Sequence, residues 1–216
     1  RPSWGNPRWE QNPAYGLLRP LSSITGDIFS RYFLTDQEMW EDAVRLAMAE
    51  YEVLSESVKD RVRRLGETIR QVKREIFSLA NKSVIDKTCA DCGGLCCETG
   101  KYHFSVVDLL MYLSTSMELF RPLFRETPCP YLGDAGCLMA PAYRPFTCIT
   151  FHCERIASQL SSADLERIGA LERGLRDSCR ELDGLFGQRM MQGLLLRYTR
   201  LLQGEVAEII STDAGC

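Results

Sequence analysis

The cysteines are the feature of this sequence that most constrains its fold. The chain has ten cysteines, and eight of them stand in three groups between positions 89 and 153. These eight are Cys89, Cys92, Cys96, Cys97, Cys129, Cys137, Cys148 and Cys153. A Cys-x-x-Cys pair lets two thiolates reach one ion from a single turn of chain, and further groups brought in by the fold complete a tetrahedral sulfur shell. The spacing therefore predicts that all eight lie together and bind metal.

A disulfide framework is the alternative, because ten is an even number. Adjacent cysteines such as Cys96 and Cys97, however, rarely reach relaxed disulfide geometry. A chain of 216 residues can also bury a core without cross-links. Gly93 and Gly94, which lie between candidate ligands, favour metal as well, because glycine freely adopts the positive φ that turns backbone amides toward sulfur.

The same residues resemble a known family. Residues 89–97 read CADCGGLCC, and Cys129-Pro-Tyr-Leu, Gly-Cys137 and Arg144-Pro-x-x-Cys148 follow in that order. This pattern resembles the zinc- or iron-chelating cysteine-cluster family (YkgJ-like), to which the flagellin lysine N-methylases are related. The resemblance covers residues 86–155, and the gap from Cys148 to Cys153 is longer than the family usually shows. It implies a bound metal ion or iron–sulfur cluster, and it implies little about an activity.

The number of thiols bears on the kind of metal. Eight clustered thiols exceed the four that one tetrahedral site requires, so they could serve two zinc ions, or one cluster together with a zinc ion or reserve ligands. We expect an iron–sulfur cluster of the [4Fe–4S] type in the native state. Zinc is the alternative, because affinity rises toward zinc among the divalent metals.

Four other residues are candidates for a place in or beside the predicted metal site. His152 stands beside Cys153 and could replace a thiolate ligand, although a surface or supporting position is the more common one for such a histidine. Arg144 either donates hydrogen bonds to sulfur or nearby carbonyls, or is an ordinary surface arginine. Cys179 continues an apolar helical stripe, which predicts core packing. The terminal Cys216 is left outside the site.

Helical periodicity flanks the cysteines on both sides. Apolar residues recur every three or four positions over 40–79 and again over 165–201. With the capping box of Thr35 and Glu38, the first stretch predicts one long helix over 35–84. The second predicts a partner helix over 159–204, with a bend or break at Gly184 or Gly187. Neither helix can bury its apolar stripe alone, so we expect the two to pair antiparallel.

The predicted fold class is therefore all-α. A long antiparallel helical hairpin carries a loop-rich, cysteine-rich metal-binding module over 85–158. Within the module, the capping box of Ser105 and Asp108 predicts one short helix. The cysteine loops contain little periodic apolar sequence, so we expect their order to come largely from metal binding. The chain is completed by a tail over 205–216 and by residues 1–34, where the prolines rule out a continuous helix. We expect residues 1–34 to form an extended arm, with a disordered tail as the alternative.

Charge and motifs narrow the function. The net charge of −3 gives no electrostatic case for nucleic acid, and no apolar run is long enough to span a bilayer. Dense thiols favour a reducing compartment, so we expect a cytoplasmic location. Nucleotide-binding and hydrolase motifs are missing, and no S-adenosylmethionine pocket can be located, so an enzymatic activity is left open. We expect redox, electron-transfer or other cluster-dependent activity, or alternatively a zinc-stabilised structural protein whose helical hairpin binds a protein partner.

Overall fold

The computed structural model describes residues 34–80, 85–94, 97, 99–124 and 128–210. The described chain is mainly α-helical, which confirms the predicted class at that level. Its helices are α1 (Asp36–Val53), α2 (Glu56–Ala80), α3 (Ile85–Cys92), α4 (Val106–Leu113), α5 (Phe146–Thr150), α6 (Glu154–Ala157), α7 (Ser162–Phe186) and α8 (Leu194–Leu202). Two 3-10 turns, Gly100–Tyr102 and Pro141–Tyr143, and a two-stranded antiparallel sheet of β1 (Leu132–Gly133) and β2 (Gly136–Cys137) complete it. The predicted arm lies outside the described residues, apart from Leu34.

Helix starts follow side-chain chemistry that is visible in the sequence. The predicted capping boxes at Thr35 and Ser105 are both present, and the N3 carboxylates of Glu38 and Asp108 reach back to the cap backbone in each case. A third capping box, at Ser161, begins α7 in the same way. Each box satisfies backbone N–H groups that a helix start would otherwise leave without a partner.

The single helix predicted over 35–84 is wrong, because the chain leaves the helical path between α1 and α2. Leu54 adopts an extended conformation (φ −60°, ψ 147°) and buries its side chain. Ser55 then accepts the N–H of Val58 at 3.4 Å and caps the next helix. The two helices, of 18 and 25 residues, are about 27 Å and about 38 Å long in place of one rod. Gly66 lies inside α2 and does not interrupt it.

Among the described helices, α2 and α7 pack against each other most extensively. The two run antiparallel, because Arg61 pairs with Glu181 at 3.2 Å while Glu75 pairs with Arg167 at 2.6 Å. Exposed ion pairs of this kind contribute about 0–1 kcal/mol each. Burial contributes more, at about 1.5–3 kcal/mol for each large apolar side chain. The buried apolar stripes of the two helices are formed by Val62, Ile69, Ile76, Ile168, Leu175 and Leu182.

The helix predicted over 159–204 is likewise two helices. Helix α7 ends with Gly187 as its C-cap, in a left-handed conformation (φ 63°). The break predicted at Gly187 is therefore present. Helix α8 follows and packs on α1. Gly193, just before α8, forms an isolated β-bridge with Ser105, just before α4. A Cβ on Gly193 would lie 2.2 Å from the Tyr102 carbonyl oxygen, so only glycine permits this bridge.

The predicted tail over 205–216 packs against the body as far as it is described. Ile209 and Ile210 are fully buried, and their backbone N–H groups donate to the Glu50 carboxylate at 3.2 Å and 2.6 Å. Burial raises the pKa of Glu50 to about 7, although these two hydrogen bonds act in the opposite direction. The end of the described chain, at Ile209 and Ile210, therefore packs against α1.

An aromatic cluster connects this helical body to the cysteine region. The Trp40 ring of α1 lies 4.9 Å from that of Phe104 and 6.2 Å from that of Tyr131, measured between centroids. Tyr131 follows Cys129 by two positions and donates from its hydroxyl to the Lys101 carbonyl at 2.9 Å. The loop after Cys129 therefore contributes one fully buried side chain to the core, while the expectation that metal binding supplies most of the order of the cysteine loops stays a prediction.

Candidate metal centre

The cysteines lie on several short elements packed on one another. Helix α3 carries Cys89 and Cys92 and packs against β1, β2 and α6. Cys137 lies in β2, Cys148 lies in α5, and Cys153 is the N-cap of α6. The first cysteine pair is thus on a helix, whereas a loop was expected there. Cys96 lies outside the described residues. The seven described cysteines of the predicted site are all half-buried: Cys89, Cys92, Cys97, Cys129, Cys137, Cys148 and Cys153.

Two glycines bring the first cysteine group to the second. Gly93 and Gly94 follow Cys92 with φ of 61° and 74°, so both have the positive φ that the sequence predicts. A Cβ on Gly94 would lie 2.9 Å from the Cβ of Cys129, closer than carbon atoms pack. The chain after α3 therefore turns sharply and passes directly over Cys129.

Gly100 makes a second close approach. A Cβ at this position would lie 3.5 Å from the Cβ of Cys97 and 3.2 Å from the Cα of Cys129. Cys97 and Cys129 therefore both lie next to Gly100, although more than 30 positions separate them in the sequence. Because no side chain intervenes, the two segments lie nearly in backbone contact.

Cys148 lies at the inner side of the region. Burial raises the pKa of its thiol well above the usual value, and the charges of Cys137 and Cys97 raise it further, while the Arg144 guanidinium acts in the opposite direction. Two of the other predicted ligands, Cys137 and Cys97, are thus within electrostatic reach of Cys148. Without a cation among them the thiol form is favoured, and a bound metal would remove that penalty.

His103 is the residue that the sequence did not single out. Its Nδ1 lies 3.7 Å from the Sγ of Cys148, and its Nε2 lies 3.5 Å from the Thr99 hydroxyl. Burial lowers the pKa of this imidazole, which favours its neutral form. The only signal in the sequence was its scarcity, since the chain has two histidines. His152 is half-buried, as His103 is.

Arg144 is buried, which rules out the ordinary surface arginine. Its Nε donates to the Met139 carbonyl at 3.2 Å, and its guanidinium stacks on the Phe77 ring of α2 at 4.6 Å. These contacts hold a permanent positive charge beside the cysteine region. Cys179 is fully buried in α7, in agreement with the prediction that it packs in the core, and Cys216 lies outside the described residues.

The side chains fit a metal by their chemistry more than by their present arrangement. Cys92, Cys129, Cys148 and Cys153 are thiols and not disulfides, and thiolates are preferred ligands of zinc and of iron–sulfur clusters. Within the described ranges, no three histidine, cysteine, aspartate or glutamate side chains converge closely enough to hold an ion. A complete metal shell would therefore require the described cysteines to lie closer together than they do in this structure.

Comparisons with protein-family models, with curated protein sequences and with solved structures found no match for this chain. The resemblance to the cysteine-cluster family accordingly stays a prediction from the motif. Among the described residues, no helix is both long enough and apolar enough to cross a bilayer.

Proposed function

We propose that this chain is a metal-binding protein that holds an iron–sulfur cluster on its clustered cysteines and acts in redox or electron-transfer chemistry. The observation that carries the proposal is the approach of distant cysteine segments. A Cβ on Gly94 would lie only 2.9 Å from the Cβ of Cys129, and a Cβ on Gly100 would contact both the Cα of Cys129 at 3.2 Å and the Cβ of Cys97 at 3.5 Å. Close approaches of this kind are costly to build, and they bring together the one residue type that suits such a cluster.

The ligands under this proposal are the eight predicted cysteines. When bound, an iron–sulfur cluster supplies one-electron transfer at a potential set by charge, hydrogen bonding and exposure. Arg144 contributes a fixed positive charge that favours thiolates over thiols, and the glycines after α3 leave backbone amides able to turn toward sulfur. The half-buried positions of the thiols leave a route for electrons to a partner protein. A reducing compartment such as the cytoplasm suits this chemistry.

The finer architecture belongs to the same proposal. Helices α2 and α7 form a hairpin, and residues 85–158 form the metal-binding module that it supports. The burial of Arg144 against Phe77 of α2 supports this view, because it ties the proposed module to the proposed hairpin through a single side chain.

A zinc-stabilised structural or interaction protein, with the hairpin as its partner-binding surface, is the second candidate. The separation of 3.7 Å between Cys148 and His103 favours it, because mixed cysteine and histidine shells are common in structural zinc sites. Under this candidate the metal folds the loops and takes no part in electron transfer.

Anaerobic purification tests the first candidate against the second. We expect a brown protein with visible absorbance and with iron and sulfide in equal amounts. A colourless protein with stoichiometric zinc would refute the redox function and favour the structural one. Cys92→Ser and Cys148→Ser are expected to lower the metal content, whereas Cys179→Ser is not, because that thiol lies in the core of α7. Equal metal content in all three variants would contradict the ligand set.

A further inference from the structure

We infer that His103 is a ligand of the same metal as Cys148, and that it binds through Nδ1. This inference rests on the proposed metal-binding function and adds to it a residue outside the cysteine motif. The motif supplies thiols only, so the imidazole would change the charge and the metal preference of the site.

The separation of the two donor atoms carries the argument. Zinc binds sulfur at about 2.3 Å and imidazole nitrogen at about 2.0–2.1 Å, with tetrahedral angles between ligands. Two such ligands stand about 3.6 Å apart along one edge of the tetrahedron. The Sγ of Cys148 and the Nδ1 of His103 lie 3.7 Å apart. The two donors therefore already have the spacing that one ion between them requires.

The surroundings of the ring are compatible with the tautomer that such binding needs. Nε2 lies 3.5 Å from the hydroxyl oxygen of Thr99, which can accept a hydrogen bond from a protonated Nε2. With the proton on Nε2, the lone pair of Nδ1 points to Cys148. A hydrogen-bond acceptor behind the ring is the usual support of a metal-bound histidine. The backbone N–H of His103 also donates to the Gly100 carbonyl at 2.9 Å, which anchors the ring at the end of its 3-10 turn.

Charge gives an independent reason. Four thiolates around a divalent ion leave a net charge of about −2, and an imidazole in place of one thiolate reduces this to about −1. Excess charge is costly in a half-buried site. Arg144 is buried four positions before Cys148 and can balance one negative charge, so a shell that contains His103 would come close to neutrality.

The alternative is a simple hydrogen bond from the Cys148 thiol to the His103 ring. That pair would exist without metal and would not require Nδ1 to form a metal bond. Nuclear magnetic resonance separates the two cases. A protein without a histidine tag is labelled with 15N-histidine and loaded with 113Cd, a spin-active stand-in for zinc, and the scalar coupling between cadmium and ring nitrogen is recorded.

We expect one ring nitrogen, Nδ1, to show coupling to cadmium. The chain contains two histidines, so in His152→Ala the remaining signal belongs to His103 alone and the coupling must persist. His103→Ala should abolish the coupling and weaken cadmium binding at least about tenfold, while His103→Cys should restore the affinity without the coupling. His152→Ala is the matched control for affinity and should change it little.

Two other results overturn the inference in distinguishable ways. Stoichiometric cadmium on the wild-type protein with no coupling to either ring, or with coupling that disappears in His152→Ala, refutes His103 as a ligand and leaves the proposed function standing. Failure of the wild-type protein to bind cadmium or any other metal refutes both.

Discussion

The buried ion pair between Lys73 and Asp108 gives the sharpest test of the fold. Lys73 lies on α2 and Asp108 on α4, with Nζ 2.7 Å from Oδ1, and both side chains are 1% exposed. The other carboxylate oxygen, Oδ2, accepts hydrogen bonds from the backbone N–H and the hydroxyl of Ser105 at 2.8 Å and 2.6 Å. The pair thus joins the capping box of α4 to the middle of α2.

Replacing Lys73 with methionine keeps most of the side-chain volume but leaves the Asp108 carboxylate buried without its cation. Breaking a buried pair in this way costs about 3–5 kcal/mol. Domains of this size unfold at about 5–15 kcal/mol, so the variant should lose a large part of its stability. The matched control is Arg61→Met on the same helix. Its partner Glu181 is about half exposed, as Arg61 is, so the cost should be about 1 kcal/mol or less.

Urea unfolding followed by far-ultraviolet circular dichroism measures both variants. A double variant, Lys73→Met with Asp108→Asn, removes the stranded charge and keeps an acceptor for the Ser105 N–H. We expect it to recover part of the lost free energy of unfolding. The reasoning is refuted if Lys73→Met falls within about 1 kcal/mol of the wild type. It is refuted equally if the double variant is no more stable than Lys73→Met.

Three further predictions concern pH, the glycine turn and the metal. The pKa of Glu50 is raised from its usual 4.5 to about 7, so its contribution to stability is complete below pH 4.5 and is lost as the pH rises through 7. Because the carboxyl is partly exposed and solvent screens its charge, we expect the shift to change the free energy of unfolding by about 1–2 kcal/mol. Glu50→Gln should be more stable than the wild type by that amount at pH 8 and equal to it at pH 4, and equal stability at both would contradict the shift. Gly94→Ala should weaken metal binding and lower stability more than Gly93→Ala. Both residues have positive φ, but only the methyl group at position 94 meets Cys129. Identical metal titrations of the two variants would show that the close approach is unimportant. Chelation under reducing conditions should preserve most of the helical circular dichroism and expose residues 93–100 to protease, since the helices bury their own core; a single cooperative loss of helix would show that metal and core fold together.

Local chemistry in the sequence predicted the helix boundaries that depend on it. The capping boxes at Thr35 and Ser105 and the break at Gly187 are each decided within a few residues, by a side chain that reaches its own backbone or by a left-handed glycine. The break at Leu54 was not predictable in this way. Its apolar spacing continues that of α1, and the chain turns there because the side chain finds its place in the core.

The candidate site shows the same difference between features set by local sequence and features set by tertiary packing. The motif predicts the proposed donors, and it predicted the positive φ of Gly93 and Gly94, because both follow from chemistry within one segment. It could not identify His103, whose approach to Cys148 spans 45 positions and depends on how the 3-10 turn and α5 are held.

What holds those elements is the helical body, and this explains why the site and the fold are linked. Helix α4 lies between the first and second cysteine groups in the chain, and the ion pair from Asp108 fixes it to α2. The segment just before α4 carries His103 and is fixed to the start of α8, where Leu194 donates to the Phe104 carbonyl at 2.7 Å. The segment that carries His103 is therefore held by contacts with α2 and α8 that involve none of the predicted metal ligands. It follows that Lys73→Met, at a residue that is not a predicted ligand, should weaken metal binding as well as stability, whereas Arg61→Met should leave metal binding unchanged and cost about 1 kcal/mol or less of stability.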